Sequence, residues 1–242
     1  MADLSRRVPR QVAESRDRGD LYGATNFELG LPGLAWLATD DFEESRRRAR
    51  DASGRWSQRG FQMQHWYALQ TAGHLGLYGG DARTAHAGLM EKWPALTGSL
   101  LLRVQLIHCE IRSLRARLAL AAAGEIGGEQ GRRLLLEAER DARRLHRLGA
   151  PWIESQAQLI LAGVAATRGD DEQAVRLLRE AAAGFDAADM ALYAAAARRR
   201  LGTLLGGDAG LALREAADRW MASEKIRAPA RFTAIFAPGF RD

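Results

Sequence analysis

Four aspartates mark a recurring corner in the sequence, and this repeat constrains the fold more than any other feature. Each aspartate is followed four residues later by a small residue: Asp41 by Ser45, Asp81 by Ala85, Asp170 by Ala174 and Asp208 by Ala212. Glycine directly precedes three of the four. Glycine can end a helix in a left-handed conformation, aspartate can cap the next helix, and the small residue lets the two helices approach. The pattern therefore predicts a chain of helical hairpins.

The spacing of these corners gives the length of the repeat. The intervals between the aspartates are 40, 89 and 38 residues, so the middle interval is about twice the others. We expect one diverged hairpin in that gap, with its corner at Gly124 to Gly128, between helices over about 100–123 and 129–148. A repeat near 40 residues exceeds the 34 residues of the tetratricopeptide unit, so somewhat longer helices are expected.

These observations predict an all-α fold: a right-handed superhelical stack of antiparallel helical hairpins, a tetratricopeptide-like α-solenoid of about ten to twelve helices. Ala, Leu, Arg and Glu dominate the composition, and no segment alternates like a β-strand. We assign residues 1–242 to one domain. It comprises an N-terminal helix over 1–20, about five hairpins over 21–227, and a capping segment over 228–242 that covers the last repeat.

The six prolines indicate where helices begin and end, because proline lacks a backbone N–H and disfavours a helix interior. We expect Pro94 to separate a helix that ends near Lys92 from the following turn, and Pro32 to kink a helix over 22–38. The other four are expected at starts or ends of elements: Pro9, Pro151, Pro229 and Pro238.

The sequence contains no recognisable catalytic or cofactor-binding motif. There is no glycine-rich dinucleotide loop, no phosphate-binding loop, no nucleophile elbow and no His-Glu-x-x-His pair. The five histidines lack the spacing that places two metal ligands on one helix face. Cys109 is interpreted as a small buried residue, and the six tryptophans as core packing. We therefore predict no catalytic residues, no metal and no cofactor, although a site assembled across helices stays an alternative.

The net charge of +5 raises the alternative of nucleic-acid binding. Most arginines have acidic neighbours, however, and the four-residue spacing pairs Glu43 with Arg47 and Glu44 with Arg48, as on a solvated helix face. We therefore do not expect nucleic acid to be the partner. The N-terminus lacks a secretory signal, and no apolar stretch reaches the roughly 20 residues that span a bilayer. No membrane association and a cytoplasmic location are expected.

In a stack of hairpins, the first helix of each pair lines the concave side, where polar side chains have no packing duty. This reasoning yields candidates for contact with a protein or peptide partner: Gln62, His65, Arg103, His108, Arg112, Gln156 and Tyr193. The alternative is that they are ordinary hydrated side chains. A small-molecule sensor with a polar pocket inside the superhelix is a further alternative.

Several stretches also resemble a known family. Arg55 to Phe61, Leu100 to Gln105, Ala188 to Arg200 and the ending Pro229 to Phe240 are similar to the C-terminal helical-repeat region of large bacterial serine/threonine protein kinases. The resemblance implies a non-catalytic scaffolding or regulatory segment, with a covalently linked kinase domain among its partners. The kinase motifs themselves are absent from this sequence, so phosphoryl transfer would belong to another domain.

Overall fold

The protein is described here from a computed structural model, over residues 1–240. Within this range it contains thirteen α-helices and a 3₁₀ turn at Leu100–Arg103, and no β-strand. The α-helices are α1 (Ala2–Asp17), α2 (Leu21–Glu28), α3 (Leu34–Leu37), α4 (Phe42–Arg55), α5 (Met63–Gly79), α6 (Ala82–Thr97), α7 (Gln105–Ile126), α8 (Gly128–His146), α9 (Pro151–Thr167), α10 (Asp171–Ala187), α11 (Ala191–Leu205), α12 (Gly207–Ser223) and α13 (Pro229–Phe236).

Helices that are neighbours in sequence form most of the packing. The closest pairs are α7 with α8, α9 with α10 and α11 with α12, and the helices of adjacent pairs also pack together. In the pair α9 and α10, Ala162, Leu178 and Ala181 lie in one buried cluster, as the sequence pattern indicated. The predicted all-helical class is confirmed, and the arrangement is consistent with a helical solenoid.

Three of the four predicted corners have the expected cap. The side chains of Asp41, Asp81 and Asp170 accept hydrogen bonds from the backbone N–H groups of residues 44, 84 and 173. The fourth prediction is wrong. Gly206, with φ of +61°, is the residue before α12, so Asp208 lies inside the helix and caps nothing.

A further corner of the same type was overlooked in the sequence. Gly19 has a φ of +68°, and Asp20 accepts a hydrogen bond from the N–H of Gly23 at the start of α2. The diverged corner was placed correctly, since α7 ends at Ile126 and α8 begins at Gly128. Val104 is extended, so the 3₁₀ turn at 100–103 stands apart from α7.

The prolines follow the sequence prediction only in part. Pro151 and Pro229 begin α9 and α13 as expected. Pro9 and Pro94 instead lie inside α1 and α6, on exposed positions, where the helix loses one backbone hydrogen bond but the ring faces solvent. Pro32 lies in a turn between α2 and α3, so the predicted kinked helix is in fact interrupted.

The C-terminal segment packs against distant helices as well as the last pair. Helix α13 contacts α5, α11 and α12. Arg231 Nη1 donates to Asp40 Oδ1 at 2.7 Å, and the N–H of Arg227 donates to the carbonyl of Ala38 at 2.9 Å. The N-terminal amine also pairs with Glu224 at 2.5 Å. The segment expected to cover only the last repeat therefore joins both ends of the chain.

Candidate functional site

The seven residues predicted to contact a partner do not form one surface. They divide among three places and one isolated position: Gln62 and His65 before and in α5, Arg103 in the 3₁₀ turn, His108 and Arg112 on α7, and Gln156 with Tyr193 on α9 and α11. Each place has different neighbours and a different degree of exposure, so each has to be considered separately.

Gln62 and His65 form hydrogen bonds at the N-terminus of α5, where the preceding loop ends. The Nδ1 atom of His65 accepts a hydrogen bond from the N–H of Gln62 at 3.0 Å, and the Oε1 atom of Gln62 accepts one from Trp56 Nε1 at 2.9 Å. These bonds cap the first turn of α5. Both side chains are therefore engaged locally, although His65 also lines a surface groove described below.

His108 and Arg112 belong to a charge cluster that joins α7 to α8. Arg112 Nε donates to His108 Nε2 at 2.5 Å, and Arg112 also pairs with Asp141, whose side chain is 0% exposed. Arg115 forms two hydrogen bonds to the same carboxylate, at 2.6 and 2.7 Å. Burial and the charge of Arg112 lower the pKa of His108. His108 is therefore neutral near pH 7, and its Nε2 atom accepts a hydrogen bond from Arg112 Nε. The cluster holds α7 against α8.

Arg103 stands alone on the surface. It is exposed in the 3₁₀ turn, and no side chain within residues 1–240 forms an ion pair with it. The arrangement brings none of the other six predicted residues to it.

Gln156 and Tyr193 line a partly open cavity of about 400 Å³ between the helices, which we call the α7 cavity. Its polar residues are Gln70, Glu110, Ser113, Arg117, Gln156 and Tyr193. Its apolar residues are Met1, Leu4, Leu31, Leu34, Leu106, Trp152, Met190, Leu192 and Phe236. Seven helices contribute to the wall: α3, α5, α7, α9, α11 and α13 by their inward faces, and α1 through Leu4.

A second recess lies on the surface, between α4 and α6 and over α5; we call it the α4–α6 groove. It has a part of about 1140 Å³ and a second part of about 460 Å³, and the two share lining residues. The floor is the face of α5 that carries Ala68, Leu69 and Ala72. Ala72 is exposed although it lies in the middle of a 17-residue helix.

The larger part of the groove has a basic rim. Its charged lining residues are Arg50 of α4 and Lys92 of α6, with His65 at one end, and no acidic residue lines it within the described chain. Lys92 pairs with Glu91, whereas Arg50 has no carboxylate partner in residues 1–240. Trp56 and Phe61 close one end with aromatic surface.

The arginine-rich segments suggested for nucleic acid are mostly occupied by carboxylates. Glu44 pairs with Arg47 and Arg48, at 2.8 and 2.7 Å. The predicted pair of Glu44 with Arg48 is present, but Glu43 pairs with Arg46 instead of Arg47. The other clusters show the same pattern, with pairs Arg143–Glu139, Arg144–Asp141, Arg198–Asp186 and Arg199–Asp218.

Neither a metal-binding group of side chains nor a membrane-spanning helix is found among the described residues. No three His, Cys, Asp or Glu side chains among residues 1–240 are grouped so that they could hold a metal ion. In the same range no helix has both the length and the apolar character needed to cross a bilayer. Cys109 is fully buried on α7, as the sequence indicated.

Comparison with protein-family models, with curated proteins and with solved structures finds no match for this chain. The functional interpretation therefore depends on the two recesses and their chemistry.

Sequence reasoning missed the residues that give those recesses their character. Glu110, Ser113 and Arg117 share one face of α7 at spacings of three and four, and this spacing is the sequence signal that could have identified them. Arg50 and Ala72 carried no such signal, because nothing in the sequence shows that α4 and α6 leave the centre of α5 uncovered.

Proposed function

We propose that this chain is a non-catalytic interaction module that binds an acidic amphipathic helix of a protein partner in the α4–α6 groove. With it we propose the finer architecture predicted from the repeats, a right-handed stack of antiparallel hairpins of the tetratricopeptide kind. The single observation that carries the function is a large apolar groove whose larger part is lined by Arg50 and Lys92 and by no acidic residue of the described chain.

The apolar floor supports a helical ligand. Small and apolar residues, Ala68, Leu69 and Ala72, are all presented on one side of α5, and the groove continues past Leu75 and Gly76. Amphipathic helices lay an apolar face into such grooves and are read through anchors at i, i+3, i+4 and i+7. Side chains as small as alanine let a second helix approach the floor closely.

The rim supports an acidic ligand. Arg50 has no carboxylate partner in residues 1–240, and the lining of the larger part carries cations without acids. Several other arginines, in contrast, are paired with glutamate or aspartate of the same or the next helix, as Arg47, Arg143 and Arg199 are. Charge complementarity at a rim raises the association rate and selects the partner more than it raises affinity.

The test uses a fluorescent synthetic helix with leucine at the anchor positions and glutamate on its other face. We expect saturable binding by anisotropy, which weakens at least tenfold in Arg50→Glu and is abolished in Ala72→Trp, because the indole fills the floor. Arg214→Glu on α12 is the matched control, since Arg214 is equally exposed and lies outside the groove.

Three results would contradict the proposal. They are equal binding of a scrambled peptide of the same composition, equal binding of a version with lysine in place of glutamate, and an unchanged affinity in Ala72→Trp. Circular dichroism of each variant establishes that it is folded before its affinity is compared.

We also propose that the chain serves a regulatory or scaffolding role beside a kinase domain, as its resemblance to the repeat region of bacterial serine/threonine kinases implies. The proposal expects no phosphorylation of an acceptor protein by the purified chain with ATP and magnesium. Kinase activity that co-purifies with the chain and survives further purification would overturn it.

Nucleic-acid binding is the competing proposal, and the pairing of the arginine clusters with carboxylates weighs against it. Binding through about six phosphate contacts weakens by orders of magnitude as salt rises from 50 to 200 mM. Salt-sensitive binding to mixed-sequence DNA or RNA, lost in a triple Arg46, Arg47, Arg50→Ala variant, would favour this alternative over the helix-binding groove.

A further inference from the structure

The α7 cavity contains buried polar groups whose hydrogen-bonding capacity is not used by the protein. Gln70 is 2% exposed, and its Oε1 atom accepts no hydrogen bond from any group in residues 1–240. Buried polar groups in folded proteins nearly always have partners, so this oxygen is an exception on a residue of the cavity wall. The oxygen itself has almost no accessible surface and lies beside Gly30, so a bound molecule would meet other groups of the wall.

A buried cation lies in the same cavity. Arg117 is 4% exposed; its Nε donates to the carbonyl of Ser113 at 3.3 Å and its Nη1 to the carbonyl of Ile235 at 2.7 Å. It forms no ion pair with a carboxylate of the described chain. A buried guanidinium that has only a distant carboxylate is costly, and an anion that reaches it would remove much of that cost.

The cavity also contains an acid that is not paired with this cation. Glu110 lies seven residues before Arg117, two turns away on the same face of α7. The two Cα atoms are therefore about 10 Å apart along the helix axis. Burial raises the pKa of Glu110, and the nearby polar groups of Trp66 and Gln70 and the charge of Arg117 offset this only partly.

The polar groups are sorted along the cavity. Glu110 provides an acceptor at one end. Arg117 and the hydroxyl group of Tyr193 provide donors at the other, and Ser113 lies between Glu110 and Arg117 along α7; neither hydroxyl hydrogen donates to another group among residues 1–240. The amide of Gln156 lies on the wall contributed by α9. Acceptors opposite donors suit a molecule with a positive end and a negative end.

The remaining wall is apolar, with leucines, methionines, Trp152 and Phe236. A volume of about 400 Å³ is within the range of small-molecule sites, and such sites combine apolar walls with a few converging polar groups. An extended dipeptide spans about 7 Å between its ends, a length comparable with the two helical turns between Glu110 and Arg117 on α7. A single amino acid is shorter than this separation.

We propose that the α7 cavity binds an apolar dipeptide, with its ammonium group at Glu110 and its carboxylate at Arg117 and Tyr193. The site is separate from the α4–α6 groove, and its occupancy does not depend on the partner proposed for that groove.

The test is calorimetric titration and thermal denaturation of the full chain with leucyl-leucine, its N-acetyl derivative and its C-terminal amide. We expect saturable 1:1 binding of the free dipeptide, and a Tm that rises by about 5 °C or more at a hundredfold excess over Kd. Removing either terminal charge should weaken binding about tenfold to a hundredfold, as for a hydrogen bond to a charged group.

Two variants assign the ends of the ligand. Glu110→Gln should lower the affinity for the free dipeptide and for the amide, and leave the affinity for the N-acetyl derivative unchanged. Tyr193→Phe should lower the affinity for the free dipeptide and for the N-acetyl derivative, and leave the affinity for the amide unchanged. Arg117 is not a useful test residue, because it also holds the carbonyl of Ile235.

The proposal is overturned if leucyl-leucine gives no saturable heat and no shift in Tm at millimolar concentration. It is also overturned if leucine alone or a simple carboxylate binds as tightly as the dipeptide, or if both variants weaken all three ligands equally. The last result would mean that the substitutions loosen the cavity in general, and that Glu110 and Tyr193 do not contact the charged ends of the ligand.

Discussion

The two faces of helix α5 show how one element can be closed on one side and open on the other. Gln70, His74 and Tyr78 are buried on the side that faces α7 and α13, whereas Ala72 is exposed on the side between α4 and α6. The exposed face is small and apolar, the buried face includes polar side chains, and no Asp, Glu, Lys or Arg occurs in α5, so the helix is not amphipathic in the usual sense. A helix that is apolar all round is normally covered all round. The uncovered face of α5 is therefore the part of the surface that most resembles an unfilled interface.

The largest expected effect comes from removing a buried side chain that packs on the closed side of α5. Phe236 of α13 is fully buried and borders the α7 cavity. Phe236→Ala should lower the free energy of unfolding by about 3–5 kcal/mol, since it deletes a buried ring and leaves a hole. Leu136→Ala, at an exposed position of α8, should cost less than about 0.5 kcal/mol. Urea denaturation measures both, and equal small costs would show that α13 is not docked as described.

A second test exploits the buried histidine on the closed side. His74 is 1% exposed, and burial together with the charge of Arg117 lowers its pKa to about 3. The unfolded chain, with an ordinary histidine pKa of about 6.5, then binds more protons between pH 6.5 and 3, so stability is complete above pH 6.5 and falls as the pH decreases.

The expected loss from this residue is roughly 2 kcal/mol between pH 6.5 and 4.5. His74→Leu should remove that part of the pH dependence, measured as the urea midpoint at each pH. An unchanged slope in His74→Leu would mean that other groups carry the acid sensitivity.

Adjacent residues of α5 provide a matched pair for the two faces. A Cβ atom at Gly73 would lie 2.8 Å from Leu114 Cδ1, inside the core, whereas Ala72 faces the groove. Gly73→Val should destabilise the fold by about 1–3 kcal/mol through overpacking, and Ala72→Trp by less than about 0.5 kcal/mol. A larger cost for Ala72→Trp than for Gly73→Val would reverse the assignment of the open face.

The smallest expected effects concern the helix caps that the sequence predicted. Asp170→Ala should cost about 1 kcal/mol, because the side chain caps α10 through the N–H of Gln173. Asp208→Ala should cost nothing comparable, because Asp208 accepts no capping hydrogen bond at the start of α12. Thermal denaturation of the two variants distinguishes them, and equal losses would show that Asp208 also acts as a cap.

These comparisons also show what could be read from the sequence. The helical class, the corners at Asp41, Asp81 and Asp170 and the break near Gly127 are local effects of capping and backbone conformation, and local sequence determines them. The corner at Asp208 failed because two adjacent glycines offer alternative ends to the helices, and only packing of α11 on α12 chooses between them. Proline placement failed at Pro9 and Pro94 because an exposed ring is tolerated inside a helix.

The candidate sites were less predictable, for a physical reason. Gln156 and Tyr193 were singled out as polar residues of an open groove, but Gln156 is buried and the ring of Tyr193 packs against Phe185 and Phe236. The other polar residues of their cavity, among them Gln70 and Arg117, come from helices far away in sequence. The cavity is created by α13 returning to α5 and α7, a long-range contact that no repeat pattern encodes. His65 and Arg112 were singled out by the same reasoning, but His65 bonds to Gln62 three residues away, and Arg112 bonds to His108 and to Asp141 of the neighbouring helix α8.

Hydrogen–deuterium exchange tests the central claim most directly, that the uncovered face of α5 is the docking surface. The full chain is measured alone and with the acidic amphipathic helix at saturating concentration. The account predicts slower exchange in α4 and α6, which flank the groove, and no change in α8, α10 and α12. Protection confined to the C-terminal helices, or none anywhere while the peptide is bound, would contradict it.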